Sequence, residues 1–129
     1  MNDKYVIDAY AWIEYLRGSK KGELARSIID GRNNLIYTCA VTLAEVVSKI
    51  AREGKDFETA YEILTSNSQI VSVGEEISKS AGLLHSEMRR VKNDFGLADA
   101  YVLATARTTK AKVLTGDPHF DGVKEAVII

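Results

Sequence analysis

The stretch Leu114–Asp121, LTGDPHFD, places two acids and the only proline of the chain directly after an apolar run. The run begins at Lys112 as KVLT, and its aliphatic and β-branched residues are typical of a short buried strand. Asp117 followed by Pro118 is a standard helix start, because aspartate accepts hydrogen bonds from the first helical N–H groups and proline fits the first turn. The stretch therefore predicts a strand that leads into a helix, with a carboxylate at the junction.

The rest of the chain repeats this alternation of short apolar runs and helical patterns. The β-prone runs predict five strands, at Lys4–Asp8, Leu35–Cys39, Gln69–Val73, Lys112–Thr115 and Ala126–Ile129. Between them, apolar residues recur at helical spacing, as in the stripe of Leu43, Val46, Val47, Ile50 and Ala51. Strands that alternate with helices predict an α/β fold, with a mostly parallel five-stranded sheet and helices on both faces.

Length and composition predict one ordinary globular domain over residues 1–129. Hydrophobic residues make up 46% of the chain and charged residues 27%, which argues against disorder. The single cysteine, Cys39, cannot form an internal disulfide, and this fits a reducing compartment. No signal peptide or long apolar run is apparent, so we expect a soluble, cytoplasmic protein without a membrane partner. The net charge of −1 gives no general argument for binding nucleic acid.

Four acids stand at or near predicted strand-to-helix junctions, and each has an ordinary structural explanation. Asp8 follows the first strand and can cap the next helix, as Asp117 can after the fourth strand. Glu45 lies three residues after Thr42, the spacing of a capping box. Asp99 opens an alanine-rich helix, where an unpaired carboxylate would be costly to bury. Taken singly, the four acids are helix caps.

Taken together, these acids predict a metal site. Ligands of parallel α/β folds collect at the carboxyl ends of the strands, where such junctions meet. Two carboxylates ~4 Å apart repel by about 4 kcal/mol at an effective dielectric constant of ~20, so a cluster needs a divalent cation, protonation or a basic partner. Ligation by oxygen atoms suits Mg²⁺ or Mn²⁺. A residue can cap a helix and bind a metal at once, so both interpretations stand.

Four segments, in this order and at these spacings, resemble PIN domains: YVIDAYAWIEYL, TLAEVVSKI, GLADAYVLATA and VLTGDPHF. The resemblance covers the whole chain and is closest to the small prokaryotic ribonucleases that are the toxins of VapBC toxin–antitoxin pairs. It implies a five-stranded parallel sheet in which the first and fourth strands are neighbours. It also implies Mg²⁺- or Mn²⁺-dependent cleavage of single-stranded RNA, a homodimer, and inhibition by a cognate antitoxin protein.

The resemblance places the catalytic acids of the family at four positions, namely Asp8, Glu45, Asp99 and Asp117. It makes Asp8, Asp99 and Asp117 the principal metal ligands, with Glu45 as a further ligand or as a group that orients the attacking water. Thr115 matches an auxiliary hydroxyl beside the last acid. Tyr10 departs from the pattern, because many relatives carry a small polar residue two positions after the first acid.

Two other functions are compatible with parts of the sequence. Gly116–Asp121 reads GDxxxD and resembles the last motif of haloacid-dehalogenase-type phosphatases, but their first motif needs an acid where this chain has Tyr10. The second alternative is a non-enzymatic α/β interaction module whose acids only cap helices. Whether Asp94, Asp121 or His119 takes part in the site is left open, as are the RNA target and the number of metals.

Overall fold

The computed structural model describes residues 3–129, in which five strands alternate with six α-helices. The strands are β1 (Lys4–Ile7), β2 (Leu35–Cys39), β3 (Gln69–Val71), β4 (Lys112–Thr115) and β5 (Ala126–Ile128). The helices are α1 (Ala9–Arg17), α2 (Lys20–Ile29), α3 (Ala40–Arg52), α4 (Phe57–Asn67), α5 (Glu75–Met88) and α6 (Leu97–Thr109), and a 3₁₀ turn (Pro118–Phe120) follows β4. The predicted α/β fold is confirmed.

The sheet has the strand order β3-β2-β1-β4-β5, and all four strand pairs are parallel. The first and fourth strands are therefore neighbours, as the resemblance implied. Ile7 is paired with Leu114, and the backbone N–H of Asp8 donates to the Leu114 carbonyl over 3.1 Å. The strand order reverses between β1 and β4, so the residues that follow these two strands meet at one edge of the sheet.

The core lies on both faces of the sheet because successive side chains of a strand point in opposite directions. Ile7 packs with α1 to α4 on one face, and its neighbour Val6 packs with α5 and α6 on the other. Trp12 is fully buried in the first of these clusters, and its indole N–H donates to the Thr38 hydroxyl over 3.0 Å. Trp12 is thus a core residue and has no surface for stacking a base.

The strand bounds differ slightly from the sequence-based expectation, whereas the burial expected for the alanine-rich helix is confirmed. Strand β3 ends at Val71 rather than Val73, because it is an edge strand whose only partner, β2, ends at Cys39 opposite Val71. Helix α6 is buried along most of its length because its alanines allow close approach to the sheet and to α5. Within residues 3–129, no helix is long and apolar enough to cross a membrane.

Candidate active site

Asp8 lies at the base of the site, directly after β1. Its Oδ1 accepts a hydrogen bond of 2.8 Å from the Ala11 N–H, so Asp8 is the N-cap of α1, as predicted. Only 4% of the residue is exposed. This burial raises the pKa of the Asp8 carboxyl to about 7, against the lowering effect of hydrogen bonds from Thr115 and Ala11. The carboxylates of Asp117 and Asp99 raise the pKa further, which shows that the three acids interact.

Asp117 lies at the end of β4 and caps the 3₁₀ turn. Its Oδ1 accepts from the His119 N–H over 2.9 Å, and its own N–H donates to the Thr115 hydroxyl over 2.9 Å. Pro118 occupies the first position of the turn, so the predicted start of a helical segment is confirmed, although the segment is only three residues long. Thr115 is fully buried and joins the Asp117 backbone to the strand.

Asp99 reaches the same edge from the first turn of α6. Its Oδ2 accepts from the Gly96 N–H over 2.8 Å, which is one half of a capping box; the other half is missing because Gly96 has no side chain. The same oxygen lies 2.9 Å from Nδ1 of His119. Asp99 therefore stabilises the start of α6 and faces the residues that follow β4.

His119 lies among these acids, whereas the sequence did not decide whether it takes part in the site. Its Nδ1 lies 3.5 Å from Oδ1 of Asp117, and its Nε2 lies 3.6 Å from Oδ2 of Asp94. Partial burial lowers the pKa of His119, but the carboxylates of Asp99, Asp117 and Asp94 outweigh it, and the net effect is a pKa above the usual value. Single ligand atoms of Asp99, Asp117 and His119 all lie within 4.8 Å of one another. The sequence did contain a signal for this position of His119: it lies two residues after the capping acid Asp117. A turn of only three residues keeps it close to that acid.

Glu45 lies on α3 at the rim of the site, and its predicted capping box is wrong. Helix α3 begins at Ala40, so Thr42 is already inside the first turn and cannot be its N-cap. Among the described residues, the buried Thr42 hydroxyl has no hydrogen-bond partner. Glu45 is exposed overall, but neighbouring protein atoms partly desolvate its carboxyl; this raises the pKa, and the charges of Asp99 and Asp117 raise it further. Glu45 therefore faces the cluster.

The remaining acids near the site contribute less. Asp94 has a side chain that is 69% exposed, and its Oδ2 lies 3.6 Å from Nε2 of His119. Asp121 is exposed at the end of the 3₁₀ turn and borders a separate groove with Val91 and Lys124. The structure thus brings Asp99 and Asp117 together with His119, places Asp8 near enough for their charges to raise its pKa, and leaves Asp121 outside.

An open cleft of about 360 Å³ adjoins Asp117, and basic side chains line its outer wall. Arg17 and Lys49 border this cleft, and Lys49 also borders the neighbouring groove that contains Glu45 and Arg52. Two acids partly neutralise this wall. Glu14 also lines the cleft and lies 3.8 Å from Arg17, and Glu53 lies 3.2 Å from Arg17 and 3.8 Å from Lys49. An anionic chain could therefore contact cations while one of its phosphates approaches the acids.

Tyr10 fits the site because Gly116 has no side chain. A Cβ atom at Gly116 would overlap the Tyr10 ring, and the Tyr10 hydroxyl accepts a hydrogen bond of 3.0 Å from Nζ of Lys21. Tyr10 lines the cleft beside Asp117. The departure from the PIN pattern is thus accommodated locally, and it displaces none of the acids.

Gly116→Ala is expected to lower the free energy of unfolding by about 1–3 kcal/mol, because the added methyl group overpacks against the Tyr10 ring. The double variant Tyr10→Ala/Gly116→Ala should lose less than the sum of its single variants, since the overlap disappears with the ring. Urea denaturation measures both. Gly82→Ala is the control, because a Cβ there meets open space and favours the α5 helix. Additive losses in the double variant would contradict the contact.

A parallel sheet that gathers carboxylates from several elements at its switch point defines an α/β protein with an acid-lined edge. The PIN domain family matches residues 5–126, and the chain belongs to that family. The resemblance seen in the sequence is confirmed. No curated protein sequence matched the chain.

Solved structures of toxin–antitoxin proteins share the fold over nearly the whole chain. A toxin–antitoxin complex from Klebsiella pneumoniae is similar, with 19% identity, a TM-score of 0.76, and 95% of each chain covered. The VapC20 toxin of Mycobacterium tuberculosis, which cleaves the sarcin–ricin loop, has 15% identity and a TM-score of 0.76, with 97% of this chain and 98% of that chain covered. VapBC2 from Rickettsia felis, bound to promoter DNA, has 15% identity and a TM-score of 0.75, with 98% and 97% covered.

Proposed function

We propose that this protein is a divalent-metal-dependent endoribonuclease and the toxin of a type II toxin–antitoxin pair. The observation that carries the proposal is the convergence of Asp8, Asp99 and Asp117 at the β1/β4 edge, with Glu45 at the rim. Membership of the PIN family supports nuclease chemistry, and the toxin–antitoxin structures with the same fold support the toxin role.

The residues present fit a divalent cation. The pKa of Asp8 is raised to about 7 and that of Glu45 is raised, first by burial and then by their carboxylate neighbours, so ionising the whole cluster is unfavourable without added positive charge. His119 would supply part of that charge when protonated, through its contacts with Asp99, Asp117 and Asp94. Carboxylate oxygens are the ligands that Mg²⁺ and Mn²⁺ prefer. We assign Asp8, Asp99 and Asp117 as the ligands of Mg²⁺ or Mn²⁺.

When bound, the cation would lower the pKa of a water and offset the negative charge that develops on the phosphate. We assign Glu45, at the rim and facing the acids, to orienting the attacking water. Thr115 positions Asp117 through its hydrogen bond to the Asp117 N–H. The burial of Asp8 keeps water away from the base of the site and strengthens the electrostatic interactions there.

The substrate is RNA, and the basic wall of the cleft is its binding surface. Lys49 and Arg52 lie on the same helix as Glu45 and border the same groove. Phosphates that flank the scissile bond would contact these cations, and such contacts position a nucleic acid without reading its bases. The cognate antitoxin and a second copy of this chain are the proposed protein partners. The homodimer rests on the family resemblance.

No observation favours the two alternative functions. A phosphatase of the haloacid dehalogenase type needs a second acid two residues after Asp8, and there the structure holds Tyr10 against Gly116. A module whose acids only cap helices would not need them to converge. In this structure, however, the charges of Asp117 and Asp99 raise the pKa of the Asp8 carboxyl.

The test is cleavage of an end-labelled RNA pool, containing single-stranded and structured species, by purified protein with Mg²⁺, Mn²⁺ or EDTA. We expect cleavage with either metal, none with EDTA, and a loss in Asp99→Asn, which removes a ligand charge. Asp121→Asn is the matched control, because its carboxylate lies outside the cluster. Equal cleavage with EDTA, or release of phosphate from a small phosphomonoester without RNA cleavage, would contradict the proposal.

A further inference from the structure

We propose that His119 is a direct ligand of the metal, beside Asp99 and Asp117, and that its nitrogen makes the centre favour Mn²⁺ over Mg²⁺. This inference rests on the proposed function, because it concerns the metal of the same site. It adds a residue of another chemical type to the acids that the PIN resemblance implies. The argument uses the positions of three side chains and of the neighbouring Asp94.

The distances from the imidazole nitrogen to the two carboxylates suit one octahedral ion. Adjacent ligands of an octahedral ion with bonds of ~2.1 Å lie about 3.0 Å apart. Nδ1 of His119 lies 2.9 Å from Oδ2 of Asp99 and 3.5 Å from Oδ1 of Asp117. An ion can therefore replace the contacts of Nδ1 with both carboxylates after small movements of the side chains.

The backbone holds the imidazole in this position. The His119 N–H donates to Oδ1 of Asp117, and the turn that begins with Pro118 brings the ring back over the end of β4. The side chain is 34% exposed, so solvent and a cation can reach it. His119 is therefore anchored to the acid beside which it would bind a metal.

The other ring nitrogen faces a carboxylate, although the distance is longer than a hydrogen bond. A metal-binding histidine commonly donates its second N–H to a carboxylate, which fixes the tautomer and the ring orientation. Nε2 of His119 points towards Asp94, with 3.6 Å between Nε2 and Oδ2. A small movement of the Asp94 side chain would let it accept a hydrogen bond from Nε2 and fix the orientation of the ring.

A nitrogen ligand changes which cation the site prefers. Mg²⁺ keeps several waters and takes oxygen ligands, whereas imidazole suits transition metals. With Asp8, Asp99 and Asp117 alone, the site would discriminate little between Mg²⁺ and Mn²⁺. With His119 added, we expect Mn²⁺ to bind more tightly than Mg²⁺.

The experiment measures Mn²⁺ binding to the full-length metal-free protein by electron paramagnetic resonance, with pulsed detection of ¹⁴N coupling. The wild type should show coupling to one imidazole nitrogen. His119→Ala should lose the coupling and bind Mn²⁺ about 10- to 100-fold more weakly, with a much smaller change for Mg²⁺ measured by calorimetry. His85→Ala, which removes the other histidine of the chain, should behave as the wild type.

The outcomes separate this inference from the proposed function. One outcome is that Mn²⁺ binds and Asp99→Asn weakens this binding, but the wild type shows no nitrogen coupling. His119 is then only a hydrogen-bond partner of the acids, so the inference is wrong and the metal site is retained. If Mn²⁺ does not bind at all, both are wrong. The wild-type spectrum alone decides the first case, so the test does not depend on the folding of His119→Ala, and His119→Asn serves as a second variant.

Discussion

Asp8→Asn is expected to make the metal-free protein more stable at about pH 8, by up to about 4 kcal/mol, and to abolish RNA cleavage. The carboxyl is almost fully buried beside two other acids, so its negative charge is unfavourable unless a cation is bound. Asparagine keeps an oxygen for the Ala11 N–H and removes the charge. A metal ligand is expected to lower the stability of the metal-free protein in this way, because its charge is compensated only when the cation is bound.

The sign of the pH dependence follows from the raised pKa of Asp8. The unfolded carboxyl ionises near its ordinary pKa of 3.8, whereas the folded carboxyl holds its proton up to about pH 7. Between these values the folded state binds more protons than the unfolded state, so this group's contribution to the free energy of unfolding falls as the pH rises, by up to about 1.4 kcal/mol per pH unit. The contribution of Asp8 to the free energy of unfolding is therefore greatest below the unfolded pKa of 3.8 and smallest above the folded pKa of about 7.

Denaturant unfolding in EDTA measures the effect, at about pH 5 and about pH 8, for the wild type and Asp8→Asn. The gain in stability should be large at the higher pH and small at the lower pH. Asp56→Asn is the matched control, because Asp56 caps α4 in the same way, through the Thr59 N–H, but is exposed, and no carboxylate of the site shifts its pKa. A variant less stable than the wild type at both pH values would show that the Asp8 charge is stabilised by its surroundings.

Asp117→Asn is expected to reduce kcat/KM for RNA cleavage by at least about 100-fold, which corresponds to about 2.7 kcal/mol of transition-state stabilisation. The same substitution should change the free energy of unfolding by less than about 0.5 kcal/mol, because asparagine caps a helix as well as aspartate does. Asp117→Ala should lose the same activity and, in addition, about 1 kcal/mol of stability with the cap. The pair of variants separates the ligand from the cap.

Cleavage kinetics in Mn²⁺ and denaturant unfolding in EDTA would be measured on the same preparations. Asp121→Asn, four positions further along the chain, should retain the wild-type kcat/KM because it lies outside the cluster. If Asp117→Asn cleaves RNA as the wild type does while Asp117→Ala is destabilised, Asp117 is a cap alone. The metal would then have to be held without it.

Local sequence determined much of this protein. The caps at Asp8 and Asp117 were predictable because each depends on hydrogen bonds to residues two or three positions away. The alternation of strands and helices was predictable because burial of one face imposes a period on the sequence. The capping box predicted at Thr42 was wrong because the local pattern does not fix where a helix begins. The pattern is present, but α3 begins earlier, at Ala40.

Tertiary structure decided which residues meet. Asp99 and His119 are twenty positions apart, and they touch because α6 and the turn after β4 end at the same edge of the sheet. Tyr10 fits only because Gly116 lies opposite it across the β1/β4 pair. Such contacts depend on strand order and on packing between distant segments. Hydrophobic periods and cap signals record only the neighbours along the chain, so they predict the acids but not the histidine among them.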